Sequence, residues 1–139
     1  MLKQLRLAVR YNYQIGEEVT NDGIGTPSRH APPTFGHIEI RYKNKGKQIA
    51  LSYQFQGAFD FEDLPIGEQN KPHLYAIDEQ GRPFAPAWYT LNLRTSFELH
   101  PQFKIGLNLD NITDQRYRTY SSGIAAPGRN LSLSFKAQF

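Results

Sequence analysis

The sequence predicts an all-β protein built on one antiparallel, up-and-down sheet of about six strands. The first observation is strict alternation of apolar and polar residues, clearest near the C-terminus, where Leu131, Leu133 and Phe135 are separated by single polar residues. A period of two places the apolar side chains on one face of a strand. The second observation is that no stretch of useful length has a helical period. The third is that Gly, Pro, Asn and Asp cluster between the alternating runs, where they mark connections.

Six alternating runs follow one another along the chain, and each predicts one strand. They cover residues 5–13, 38–42, 49–55 with Phe59, 89–99, 103–109 and 131–139. At about 3.4 Å per residue and a tilt of about 45°, a strand of about 11 residues spans roughly 26 Å, close to the apolar band of outer-membrane barrels.

The connections between the runs alternate between long and short. Residues 16–36, 60–86 and 111–128 form long loops, whereas residues 43–47 and 100–102 form short turns. In the first short turn we expect Asn44 and Gly46 to supply the positive φ angles of a tight hairpin. In an up-and-down sheet all short turns lie on one side, which is the asymmetry of an outer-membrane β-barrel.

Aromatic residues fall near both ends of the predicted strands and predict two interfacial girdles. The long-loop girdle would contain Tyr11, Tyr13, Phe59 and Tyr89, and the short-turn girdle Tyr42, Phe103 and Phe139.

Alternation alone does not establish a membrane protein, because an antiparallel sheet with one wet face gives the same pattern. A soluble or surface-exposed antiparallel β-sheet binding module is therefore the alternative. The polar face favours a wide lumen, since a small closed barrel is packed with side chains and would not accommodate so many charges. These charged residues are Arg6, Arg10, Arg41, Arg94, Lys104, Asp110 and Lys136.

Composition excludes several functions and bounds the architecture. The 139 residues contain no cysteine, which excludes disulfides and thiolate metal sites. The net charge of +3 is scattered along the chain, which predicts no nucleic-acid partner. Six strands are too few to close a membrane barrel, because bacterial examples begin at about eight. We therefore expect further strands to precede Met1.

The third long loop carries a recognisable segment. Asn111, Asp114 and Tyr117 fit the pattern N-hydrophobic-x-D-x-x-Y, and residues 121–129, with Gly123, end in Gly128-Arg129 before the last run. This segment, the final aromatic Phe139, and the stretches 29–36 and 86–93 resemble TonB-dependent outer-membrane receptors. The resemblance covers essentially the whole chain, as the last six of about 22 strands.

The resemblance implies a C-terminal portion of a receptor barrel, residues 1–139, without the plug domain and the earlier strands. Such receptors take up a scarce nutrient such as a ferric siderophore, haem or cobalamin across the outer membrane of a Gram-negative bacterium. The implied partners are outer-membrane lipid, the remaining strands and plug, and TonB through the missing N-terminal part. No cofactor is implied, and the fragment alone is not expected to transport.

The resemblance also assigns roles to the closing strand and to the loop segment. Leu131, Leu133, Phe135 and Phe139 would be read by the barrel-assembly machinery. In the loop, Asn111 and Asp114 suit a turn, because their side chains cap local backbone groups. Gly128 is expected to supply backbone freedom, and Arg129 to pair with a carboxylate at the lumen or its rim.

Ligand-contacting residues are not identified by the sequence. Packing is the expected role of Tyr117 and Tyr120, with ligand contact as the alternative. Four histidines lack the short spacing of metal ligands, so no metal site is predicted, and ligation by His30 or His73 is the alternative. The acidic second loop is expected to be solvated. Residues 121–123 lack the G-x-S-x-G elbow of hydrolases, so no enzyme is predicted.

Overall fold

The computed structural model describes residues 4–29 and 31–139. Leu2 and Lys3, which precede the predicted strand 5–13, and the predicted alternative at His30 lie outside these residues. The strands are β1 (Leu5–Asn12), β2 (Glu17–Val19), β3 (Gly25–Pro27), β4 (Phe35–Asn44), β5 (Lys47–Gln56), β6 (Ala76–Ile77), β7 (Pro83–Phe84), β8 (Trp88–His100), β9 (Phe103–Asp110) and β10 (Asn130–Ala137).

The main sheet contains six antiparallel strands in the order β1-β4-β5-β8-β9-β10. Each of these strands pairs with the one that precedes or follows it in the chain, apart from the small hairpins inside the loops. The predicted all-β, up-and-down antiparallel architecture is confirmed. The three long connections are called the first loop (residues 13–34), the second loop (57–87) and the third loop (111–129).

Two strand ends differ from the prediction. β5 ends at Gln56, and Phe59 forms an isolated bridge with Ala85 inside the second loop. Phe59 is therefore not part of the predicted long-loop girdle. β10 ends at Ala137, and Phe139 lies beyond it with its side chain fully exposed. After the strand, the N–H of Gln138 donates to the carbonyl oxygen of Gln102 at 2.9 Å, which holds the segment against the short turn.

The turn between β4 and β5 is tighter than predicted. Only Lys45 and Gly46 lie between the strands, and their φ angles are +41° and +75°. Two positive φ angles define a type I′ hairpin, whose twist matches that of the flanking strands. The left-handed residue is Lys45 rather than Asn44, because Asn44 still pairs with Lys47 as the last residue of β4.

The two faces of the sheet have inverted exposure. On the apolar face Leu51 is 45% exposed and Leu133 is 69% exposed, whereas Ser52 and Asn92 on the polar face are 9% and 8% exposed. A globular sheet buries its apolar side chains. In the described residues the opposite holds, which is the arrangement expected where the apolar face meets lipid.

The buried apolar cluster lies in the loops rather than on the sheet. Leu64, Tyr75 and Ala85 are its buried members, and Phe59 and Tyr120 pack against it. Because these residues come from the second and third loops, the cluster joins two long connections for which the sequence predicts no regular secondary structure.

Short regular elements occur inside the loops. The first loop contains the β2–β3 hairpin, and the second loop contains the β6–β7 hairpin, the four-residue helix α1 (Ile66–Gln69) and 3₁₀ turns at Phe61–Asp63 and Pro72–Leu74. These elements are too short to show a period in the sequence. No helix among residues 4–29 and 31–139 is both long enough and apolar enough to cross a membrane.

Candidate functional site

The third loop folds back onto the polar face of the sheet, and Asn111 anchors it. The Asn111 N–H donates to Asn92 Oδ1 at 2.9 Å, and its side-chain amide donates to the carbonyl oxygens of Gln115 (2.9 Å) and Pro127 (3.2 Å). Its Oδ1 accepts the N–H of Gln115 at 3.0 Å. Asn111 is 4% exposed with φ +49°, a left-handed conformation that asparagine tolerates better than most residues. It therefore holds both ends of the loop.

Asp114 and Gly128 form a second contact that holds the two ends of the third loop together. Asp114 Oδ1 accepts the backbone N–H of Arg129 at 2.7 Å. A Cβ on Gly128 would lie 2.9 Å from the same oxygen, and φ of Gly128 is not positive. The predicted need for backbone freedom at Gly128 is therefore wrong, because what the site requires is space for the carboxylate. Arg129 meets a carboxylate through its backbone; its side chain makes no ion pair among the described residues.

Aromatic stacking positions the middle of the third loop against β8. The rings of Tyr117 and Trp88 stack with centroids 4.2 Å apart, and the N–H of Tyr120 donates to Gln56 Oε1 at 3.2 Å. Gln56 and Trp88 are register partners on neighbouring strands. Among the described residues, Trp88 Nε1 and Gln56 Nε2 are buried without a hydrogen-bond partner.

A buried carboxylate joins the second loop to the third. Glu68 is 5% exposed; its oxygens accept hydrogen bonds from Lys71 (2.7 Å), Tyr75 (2.8 Å) and, at 3.5 Å, Ser121. Burial alone would raise the pKa of Glu68, but the hydrogen bonds from Lys71 and Tyr75 outweigh burial and lower this pKa. Burial and the bond to Glu68 raise the pKa of Tyr75. The pair is therefore a carboxylate and a neutral phenol at neutral pH.

The acidic stretch of the second loop is solvated as predicted at Asp60, Glu62, Asp63 and Glu79, which are exposed, and part of it is also paired. Arg82 binds both Glu62 and Asp78 and covers the Phe61 ring at 5.1 Å. Backbone hydrogen bonds and the Arg82 side chain lower the pKa of Glu62 and of Asp78.

A cavity of 370 Å³ opens between the second and third loops. Its walls combine aromatic rings with arginine, and it lies beside the stack of Trp88 and Tyr117. The lining residues that carry polar or aromatic groups include Tyr75, Trp88, Gln115, Arg116, Tyr117, Arg118 and Tyr120.

A second, polar recess of 250 Å³ lies on the polar face of the sheet. It includes Arg94 and Asp110, whose charged groups are 3.9 Å apart. His37 and Asn92 also line it. The arrangement provides hydrogen-bond donors and acceptors.

The closing strand presents aromatic residues at its short-turn end. The ring centroid of Phe103 lies 5.9 Å from that of Phe135 and 6.3 Å from that of Phe139. Leu131 and Leu133 continue the same face and are 65% and 69% exposed. At the opposite end Tyr89 packs against Tyr53 at 5.6 Å, so aromatics lie near both strand ends.

The three described histidines lie on different elements: His37 on β4, His73 in the second loop and His100 at the end of β8. Arg118 Nη1 donates to the backbone carbonyl of His73 at 3.2 Å, which uses the backbone and not the imidazole. In the part of the chain that the structure describes, no group of three or more His, Asp or Glu residues is arranged to hold a metal ion.

Two solved structures share this architecture. The copper transporter OprC aligns with a TM-score of 0.73 and 12% identity, over 98% of this chain and 20% of that one. The ferric-catecholate import receptor Fiu from E. coli K12 aligns with a TM-score of 0.64 and 15% identity, over 98% and 19%. The chain has the fold of a TonB-dependent receptor barrel. No family model and no curated protein matches the sequence.

The TonB-dependent receptor fold resembled by the sequence is thus confirmed by structure. The chain spans about a fifth of the length of the two neighbours. By their names these neighbours are a transporter and an import receptor, not enzymes.

The sequence identifies the third-loop motif but not Trp88 and Gln56, the strand residues that the third loop contacts. In the sequence Gln56 is only a polar position of an alternating run, and Trp88 belongs only to the stretch 86–93. The role of both residues depends on which strands are neighbours. Trp88 lies four residues before Asn92 and therefore on the same polar face of β8. Once the register of β5 and β8 is known, Gln56 is placed on this face beside Trp88.

Proposed function

We propose that this chain is the C-terminal barrel portion of a TonB-dependent outer-membrane receptor, which takes up a scarce nutrient complex. The observation that carries the proposal is the inverted exposure of the sheet, with leucines exposed and Ser52, Thr90 and Asn92 buried. Together with long loops on one side and short turns on the other, it fits a sheet placed between lipid and a polar lumen.

The open edges support a larger barrel. Within the described residues β1 and β10 each pair on one side only. In a bilayer each unpaired backbone group would cost several kcal/mol, so further strands are needed to close the sheet. The plug and TonB would act through those other parts, and this portion alone would not transport.

In this proposal residues 1–139 supply lipid-facing strands of the barrel and its closing strand, which is recognised during assembly. They also supply the second and third loops, which are held in place on the outer side. Glu68 connects the second loop to Ser121 of the third loop, and Asn111 and the Trp88–Tyr117 stack connect the third loop to the sheet. The nutrient is a metal or a metal complex if it follows the cargo named for the two structural neighbours.

Fractionation of the source cell tests this proposal. An antibody to the second loop should detect a band that stays in the outer-membrane fraction after alkaline carbonate washing. The band should run far above the 15.9 kDa of this chain, because a barrel of about 22 strands needs roughly 500 residues. A soluble band near 16 kDa would contradict the receptor and favour a soluble β-sheet binding module. A known outer-membrane porin and a periplasmic protein serve as fractionation controls.

A further inference from the structure

The hairpin turn between β4 and β5 carries three lysines, Lys43, Lys45 and Lys47, which are all exposed. Within residues 4–29 and 31–139, none of these lysines forms an ion pair. Lys45 has φ +41°, although a type I′ turn favours Asn or Gly at such a position. The geometry of the turn therefore does not account for lysine at position 45, and the turn presents positive charge that the described chain does not neutralise.

Lys47 lies on the apolar face of the sheet. Side chains two apart in a strand share a face, so Lys47 continues the row of Ile49 and Leu51, which are 42% and 45% exposed. Its register partners are Asn44 on β4 and Phe97 on β8. In the proposed receptor this face meets lipid, and long basic side chains at the edge of an apolar surface extend toward the polar headgroups. Lys47 therefore stands where the apolar band ends and the headgroups begin.

An amide group lies beside Lys47 at the same end of the apolar face. Asn44 Nδ2 donates to the Tyr42 hydroxyl at 3.1 Å, and this hydroxyl donates to Gln4 Oε1 at 3.4 Å. Residues in register on one face have Cβ atoms about 5 Å apart, so the Asn44 amide is held next to Lys47. The amide has two N–H groups, and the contact with Tyr42 uses one of them. An amide donor and ammonium groups at one level are suited to the oxygens of a phosphate.

Two further lysines at the short-turn end lie on the opposite face. Lys104 on β9 and Lys136 on β10 are register partners, and Lys104 also contacts Glu98 at 3.4 Å. Each alternates with an apolar residue, Ile105 or Phe135, and therefore belongs to the polar face. The same end of the sheet thus carries lysines on the face that meets lipid and lysines on the face that does not.

We propose that Asn44, Lys45 and Lys47 bind the phosphate of an anionic phospholipid in the leaflet on the short-turn side of the membrane. This inference rests on the proposed function, which places the sheet in a bilayer. The lysines supply point charges and the Asn44 amide supplies a directed hydrogen bond. An anionic headgroup is favoured over a zwitterionic one, because unneutralised basic residues near a membrane surface attract anionic lipid. A lipid bound in this way fixes the depth of the turn at the membrane surface.

Lipid retention by the full-length receptor tests this contact. Receptor purified from outer membranes in a non-ionic detergent is mixed with dioleoylphosphatidylglycerol or dioleoylphosphatidylcholine, and bound lipid is counted by native mass spectrometry. The Lys45→Asn/Lys47→Gln receptor lacks two charges, and Asn suits the left-handed turn position. It should retain about fivefold less phosphatidylglycerol than wild type and the same amount of phosphatidylcholine. The matched control, Lys104→Gln/Lys136→Gln, removes two charges from the polar face and should retain as much phosphatidylglycerol as wild type.

Two results would overturn the lipid contact. One is equal retention of phosphatidylglycerol by wild type and Lys45→Asn/Lys47→Gln; the other is an equal loss in both double variants, which would indicate a response to net charge alone. If the Lys45→Asn/Lys47→Gln receptor does not assemble, wild-type receptor in nanodiscs of either lipid is acetylated with N-hydroxysuccinimidyl acetate. Lys47 should react about threefold more slowly in phosphatidylglycerol than in phosphatidylcholine, and Lys136 should change much less.

Equal ratios for Lys47 and Lys136 would also overturn the lipid contact. The size and location of the receptor band separate this inference from the proposed function. An outer-membrane band of receptor size together with any of these negative results rejects the lipid contact alone and leaves the proposed function intact.

Discussion

The backbone N–H of Asn111 donates a hydrogen bond to the side-chain oxygen of Asn92 across 2.9 Å, and both residues are buried. This bond connects the first residue after β9 with the middle of β8. It turns the third loop toward the polar face at the point where the loop begins. The position of the loop is thus set by the sheet where the loop begins.

Asn111→Ala should destabilise the protein by about 2–4 kcal/mol, because it removes several buried hydrogen bonds and leaves alanine in a left-handed conformation. The thermal unfolding midpoint of the detergent-solubilised receptor measures this change. Asn21→Ala, at an exposed turn of the first loop, is the control and should change stability by less than about 0.5 kcal/mol. Equal midpoints for the two variants would mean that Asn111 does not hold the loop.

Glu68 should make the loop packing sensitive to acid. Its pKa is lowered in the folded protein, so its stabilising contribution is complete above the ordinary glutamate value of 4.5 and is lost as the pH falls through the lowered pKa. Protease nicking of the second loop at pH 7 and at pH 3.5 should therefore differ in wild type. In Glu68→Gln, nicking should be faster at pH 7 and should change less with pH than in wild type, because Glu62 and Asp78 still titrate. An unchanged pH response in this variant would exclude Glu68 as the source.

Gly36 and Gly25 form a matched pair for testing strand packing. A Cβ on Gly36 would lie 2.6 Å from a Phe55 ring carbon and 2.8 Å from the Arg10 carbonyl oxygen, whereas one on Gly25 would have nothing within 4 Å. Gly36→Ala should cost about 1–3 kcal/mol by forcing β1 away from β4. Gly25→Ala should be near neutral. Chemical unfolding in lipid vesicles measures both, and a neutral Gly36→Ala would show that the strands separate easily.

Charge on the apolar face distinguishes the receptor from the soluble alternative. Leu133→Arg should cost about 2–4 kcal/mol in a bilayer and reduce the amount in the outer membrane. Ser132→Arg, one residue away on the polar face, should have a much smaller effect. A soluble β-sheet module would instead tolerate Leu133→Arg, because Leu133 is 69% exposed.

Phe139 should support insertion through its aromatic character. Phe139→Ala should lower the amount of receptor in the outer membrane several-fold, whereas Phe139→Tyr should keep most of it, because an aromatic ring is retained beside Phe103. Immunoblots of outer-membrane fractions, normalised to a porin, measure the difference. Normal levels of Phe139→Ala would exclude the assembly role.

The sheet was predictable because its period and its turn residues act locally. The runs 38–42 and 103–109 fall inside β4 and β9 without any knowledge of neighbours. Phe59 was misassigned because an apolar residue just after an alternating run continues the pattern, while its actual partners, Ala85 and Tyr120, are distant in sequence. A residue that is buried by contacts with distant loop residues produces no periodic pattern in its own stretch of sequence.

The loop motif was located by resemblance, but its physical basis was only partly predictable. The turn-forming character of Asn111 and Asp114 follows from their side chains, and both have positive φ in the structure. The role of Gly128 was misjudged because its constraint is a distance to Asp114, fourteen residues earlier. Such contacts require the folded backbone.

The order of strands in the sheet also bears on how the chain assembles. Since every main-sheet strand pairs with its neighbours in sequence, each pairing closes only the connection between them. The entropy of closing a connection grows slowly with its length, so even the long loops add little to each step. The sheet is thus able to grow one hairpin at a time from a nucleus such as β4–β5 or β8–β9, which are each joined by only two residues. Lengthening a long loop would then alter the outer surface while leaving the order of assembly unchanged.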